Sequence, residues 1–75
     1  MKSNLLKAEM VKNGVSGKQL SSTIGISESA FYRKLAGESE FTQGEIAAIA
    51  NALRMTWDTV YSVFFEAEVS FPTQN

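Results

Sequence analysis

Arg33, Ser29, Tyr32 and Glu28 crowd into one short stretch and carry the groups that can read the edges of nucleic acid bases. A guanidinium at Arg33 can donate two parallel hydrogen bonds to guanine O6 and N7, and the Ser29 hydroxyl can donate or accept at either type of base pair. Glu28 can accept from the cytosine amino group, and its charge repels phosphates, so it excludes wrong sites as much as it selects right ones. Tyr32 offers a ring to a thymine methyl and a hydroxyl to a phosphate. Backbone N–H groups at helix starts near Gly17 and Ser27 can hold phosphate oxygens. Lys18, Lys34 and the hydroxyls of Ser16 and Ser39 can clamp the same backbone. Other chemistries lack their residues. The chain has no cysteine and no histidine, which removes disulfides, thiolate metal sites and the commonest general base. Glu66 and Glu68 form a pair of carboxylates without a proton partner and read as a solvated face. The expectation is a protein with no catalysis, no cofactor, no metal and no small-molecule substrate.

Those residues need a scaffold, and the stretch 16–37, SGKQLSSTIGISESAFYRKLAG, supplies one: two short helices joined by a tight turn at Gly25-Ile26-Ser27. This is the layout of a helix-turn-helix, whose second helix enters a DNA major groove. On a helix over 28–36, at about 100° per residue, Phe31 and Leu35 share the core face and Ser29 and Arg33 point nearly the opposite way. Tyr32 and Lys34 fall at the two edges of the outward face. Tyr32 therefore fits either a base contact or a half-buried filler, and Lys18 and Lys34 fit either phosphate clamps or ordinary solvated charges.

One start signal recurs four times: a hydroxyl residue that caps exposed helix N–H groups, preceded by an apolar residue that staples onto the first turn. Ser16 sits between Val15 and Leu20, with Gln19 placed for a capping box; Ser27 between Ile26 and Phe31; Thr42 between Phe41 and Ile46, with Glu45 completing a second box; Thr56 between Met55 and Val60. Helices should start near 17, 28, 43 and 57. An earlier one, over about 3–13, stops at Asn13-Gly14. Leu6 with Met10, then Ile46, Ile49, Ala50 and Leu53, then Trp57, Val60, Tyr61 and Phe64 follow helical spacing. Trp57, Phe64 and Phe65 are expected in the core. From Phe65 the pattern alternates, with Phe65, Ala67, Val69 and Phe71 on one side, which is a strand period closed by Pro72. A lone extended segment here either packs as a tail or pairs with its copy in a second subunit.

Seventy-five residues make one small domain, and 44% hydrophobic content is that of a globular chain. No apolar run spans a membrane and no signal-peptide pattern opens the chain, so a soluble cytoplasmic protein is expected. A net charge of −1 is unusual for a nucleic-acid binder, but the charge is polarised. Lys2, Lys7, Lys12, Lys18, Arg33 and Lys34 face only Glu9 and Glu28 up to Gly37. Beyond it Arg54 alone opposes Glu38, Glu40, Glu45, Asp58, Glu66 and Glu68. The basic half holds the reading unit.

Leu20, Gly25-Ile26-Ser27, Phe31, Gly37 and then Ile46, Ile49, Ala50 and Leu53 resemble the Cro/CI-type repressors of the XRE helix-turn-helix family. More narrowly, FYRKLAGESEFTQGEI with the aromatic pair Phe64-Phe65 is similar to small Cro-type repressors of phages of Gram-positive hosts. The resemblance covers residues 5–68 and implies an all-α, compact five-helix lambda-repressor-like domain over 1–75, with a tail from 65. It also implies that Glu28, Ser29, Tyr32 and Arg33 meet base edges. Three positions depart from the family pattern. The glutamine common at the start of the second helix is Gly17, the small alanine inside it is Ser21, and the apolar residue usual at Lys34 is charged, with Leu35 free to take over its packing.

The function these readings imply is a sequence-specific DNA-binding regulator, a phage or prophage repressor occupying a double-stranded DNA operator. It would bind as a homodimer, with Phe65, Ala67, Val69 and Phe71 as the candidate dimer surface, because one helix reads few base pairs. The rival from another class is a protein-interaction module or antirepressor on the same fold, which the acidic half favours.

Overall fold

Every helix after the first starts on the hydroxyl marked for it. In the computed structural model, which describes residues 1–66, the helices are α1 (Ser3–Asn13), α2 (Gly17–Ile24), α3 (Glu28–Leu35), α4 (Gln43–Ala52) and α5 (Trp57–Val60). The chain continues from α5 into a π-helical turn, Tyr61–Phe65. Ser16, Ser27, Thr42 and Thr56 accept from the N–H groups of Gln19, Ala30, Glu45 and Thr59 respectively. At Ser16 and Thr42 the reciprocal bonds from Gln19 and Glu45 complete capping boxes. Each cap stabilises its helix by about 1 kcal/mol.

The helix ends are as regular as the starts. Gly14-Val15-Ser16, Gly25-Ile26-Ser27 and Arg54-Met55-Thr56 are three copies of one connector. A left-handed residue is followed by an apolar residue whose N–H returns to the preceding helix, and then by the next cap. The return bonds are Val15 N to Met10 O at 2.9 Å, Ile26 N to Ser21 O at 3.0 Å and Met55 N to Ala50 O at 2.9 Å. In the tight turn this demands φ 84° at Gly25, which glycine adopts without a Cβ clash. The third copy asks the same of Arg54 (φ 53°), a non-glycine residue in the left-handed region.

The core is one cluster. Leu6, Leu20, Phe31, Ile49, Leu53 and Val63 are fully buried, with Met10, Leu35, Phe41, Val60 and Phe64 around them. α2 lies against both α3 and α4, and α1 packs on the π turn. α1 has no side-chain cap; its start is tied across the fold instead. Lys2 N donates to Val63 O at 2.7 Å and Ser3 Oγ donates to the Leu35 carbonyl at 2.6 Å, so the first helix holds the end of α3.

Two expectations at the C-terminal end are corrected. Trp57 and Phe65 are not core: Trp57 is 85% exposed and Phe65 41%. Apolar side chains nearly encircle this helix, so spacing alone did not choose the buried face. The structure buries Val60, Val63 and Phe64 and leaves outside Tyr61 and Trp57, whose rings carry a polar atom that water can satisfy. The strand expected from Phe65 does not begin there, because the N–H of Glu66 closes the π turn on Tyr61 O. Ala67, Val69 and Phe71 lie outside the described residues. Among the described residues there is no strand.

Candidate nucleic-acid interface

α3 is short, and its two faces are cleanly divided. Phe31 and Leu35 are buried, while Glu28, Ser29, Tyr32 and Arg33 are exposed. Ser29 and Arg33 stand one turn apart on the outward side, as expected from their spacing. Among the described residues neither Arg33 nor Lys18 takes part in an ion pair. The guanidinium is thus uncommitted at the centre of an exposed polar face, with its five donors available. α3 ends cleanly: Glu38 N returns to Arg33 O at 2.9 Å and Gly37 N to Lys34 O at 3.0 Å.

The start of α2 lies beside this face. Ser16 is exposed and its oxygen accepts from Gln19 N at 3.0 Å, which leaves the hydroxyl proton free to donate outward. Lys18 is exposed and Gly17 is buried. Gly17 is covered by Tyr32: a Cβ built on Gly17 would overlap the hydroxyl oxygen and Cζ of that ring. Tyr32 meets Phe31 edge to face, with ring centroids 5.5 Å apart, and keeps 47% of its surface exposed. It bridges α3 to the first turn of α2 as a half-buried ring. Ser27 is exposed and its oxygen accepts from Ala30 N at 3.1 Å. Ser39 is exposed between two exposed carboxylates, Glu38 and Glu40, a setting that repels phosphate.

Lys34 is spent elsewhere. Its ammonium lies 2.7 Å from Glu45 Oε1, both side chains being largely shielded (17% and 15% exposed), and 5.9 Å from the centre of the Phe41 ring. The pair ties α3 to α4 at the residue expected to clamp phosphate. Glu45 Oε1 also accepts from Thr42 N at 2.9 Å. The Lys34 hydrogen bond first, and then the Thr42 N–H, hold the Glu45 carboxyl below its ordinary range against the opposing effect of burial. The capping role of Glu45 is visible in its local spacing. Its bond to Lys34, eleven residues away, has no local signal.

A second exposed surface lies on α4 and the last helix. Ile46, Ala50, Met55, Trp57, Val60 and Phe65 line an open groove of about 670 Å³. Among the described residues no group of His, Cys, Asp or Glu could hold a metal ion, and no helix is long and apolar enough to cross a membrane.

The family model for the Cro/C1-type HTH DNA-binding domain matches residues 5–65. No curated protein and no solved structure matches the chain.

Proposed function

The chain belongs to the family of Cro/C1-type HTH DNA-binding domains, and from that premise we propose that it is a sequence-specific phage or prophage repressor. It occupies an operator through α3 and so blocks transcription. The observation that carries this reading is the exposed face of α3, where Arg33, opposite the buried Phe31 and Leu35, has no ion pair among the described residues. Arg33 reads guanine, Ser29 reads beside it, and Glu28 screens against sites that press a phosphate on it. Ser16, Gly17, Lys18 and Ser27 fix the register on the phosphate backbone through hydroxyls, N–H groups and one ammonium.

The repressor acts as a homodimer on a pseudo-palindrome, its two copies of α3 about 34 Å apart to match one turn of DNA. Support for association comes from the apolar surface that a monomer leaves in water at Trp57, Tyr61 and Phe65. Phe65 links this surface to the expected dimer segment.

Selection from random duplex DNA, run in parallel on wild type and Arg33→Ala, tests the reading. Wild type should enrich a two-fold symmetric site, and the variant should relax one position per half-site. A folded wild type that enriches nothing at low salt overturns it and favours a protein-interaction module.

A further inference from the structure

Tyr32 and Gly17 fit each other, and neither makes sense alone. Gly17 opens α2 at a position where its neighbours in the first turn, Lys18 and Gln19, carry long exposed side chains. Glycine is a poor helix former, and φ at Gly17 is not in the left-handed range, so the backbone does not call for it. What does is the ring of Tyr32, which fills the volume a side chain at 17 would need. The ring is held from behind by Phe31, itself fully buried. It is therefore a wedge between the N-terminal turn of α2 and the middle of α3.

We infer that Tyr32 is a positioning residue for DNA reading, matched to Gly17, and not itself a reader of base edges. This rests on the reading of α3 given above. The start of α2 sets where the protein sits on the phosphate backbone, and α3 carries the side chains that reach the bases. The wedge sets the offset between those two surfaces, and hence which base pair Arg33 and Ser29 reach. The pair also narrows the reading set to Glu28, Ser29 and Arg33.

The test is a double-variant cycle of Gly17→Ala and Tyr32→Ala, with Tyr32→Phe as the conservative control. It is read by affinity for the selected operator, by repeated selection and by thermal unfolding. Gly17→Ala should keep or raise the melting temperature, because the ring can swing outward and alanine favours the helix. It should still weaken operator binding by tenfold or more, about 1.4 kcal/mol or above, the scale of one lost base contact. Tyr32→Ala should weaken binding and blur the base preference at the Arg33 position. Gly17→Ala/Tyr32→Ala should bind no worse than Tyr32→Ala alone, since the added methyl then meets no ring. Tyr32→Phe should select the wild-type site. Two results overturn the inference while leaving the repressor reading intact. One is independent, multiplicative losses from the two alanine variants. The other is a changed base preference in Tyr32→Phe, which would make the hydroxyl a base reader. A wild type that selects no site overturns both.

Discussion

Two exposed aromatic rings, Tyr32 and Trp57, divide the molecule into unlike halves. Tyr32 is held: its edge lies on Phe31 and its hydroxyl end covers Gly17. Trp57 is 85% exposed at the rim of an open groove. Around Tyr32 the outward charges include Arg33 and Lys18, neither of them in an ion pair among the described residues. Beside Trp57 stand the exposed Asp58, next in the chain, and Arg54 in the wall of the same groove. The first surface is preorganised for a rigid ligand that needs no rearrangement of the protein. The second leaves apolar area in water at Trp57, Tyr61 and Phe65, the kind of surface on which the proposed association draws. On the proposed reading, one small fold keeps the face that reads DNA apart from the face through which two copies associate.

The sharpest way to break this contrast is to remove the ring that both halves share. Phe31 is fully buried and contacts both Tyr32 and Phe41, the latter at a centroid distance of 5.7 Å. Phe31→Ala should cost about 3–5 kcal/mol, enough to unfold much of so small a domain at room temperature, as urea titration followed by circular dichroism would record. Arg33→Ala separates the halves: operator binding should weaken by about 1–3 kcal/mol with the urea midpoint unmoved. Trp57→Lys should do the reverse, abolishing self-association in sedimentation equilibrium while one recognition helix keeps its base preference.

Two of the left-handed residues, Gly25 and Arg54, sharpen the comparison with opposite signs. Gly25→Ala should destabilise by about 1 kcal/mol, and Arg54→Gly should stabilise by about 0.5 kcal/mol, because only the second position now carries a Cβ in a region that disfavours it. Thermal melts of the pair decide this.

The smallest effect is at the tie between the halves. The Glu45 carboxyl has a lowered pKa in the fold, so its contribution is fully present above the ordinary carboxylate range. It is lost as pH falls through the lowered value. Glu45→Gln should flatten the acid limb of stability against pH below that range and leave DNA reading at neutral pH unchanged.

The parts of the fold that sequence made legible are those decided locally. Four caps, the Gly25 turn and the division of α3 into Phe31–Leu35 and Ser29–Arg33 all depend on residues within a turn of each other, and all stand as expected. What was not legible depended on choices between distant surfaces. The bond of Lys34 to Glu45 joins residues eleven positions apart, with no local signal between them. Trp57 looks like core until Val63 takes the inward place. Arg54 carries no sign of a left-handed turn, because only the flanking pattern, apolar residue then hydroxyl cap, matches the two glycine connectors. Gly17 departs from the family pattern with no local sign of why, and the ring that covers it, Tyr32, lies fifteen positions on.

Trp57 is the only tryptophan of the chain, and its standing in water has a practical consequence. With 85% of its surface exposed, its emission in the folded protein should already be close to that of a hydrated indole, so unfolding the domain should change the colour little. Whatever settles into the groove beside it removes that water and shifts the emission to the blue. The molecule thus carries an optical signal nearly blind to its own folding and sensitive to association, which allows the two to be followed separately in one cuvette without attaching a dye.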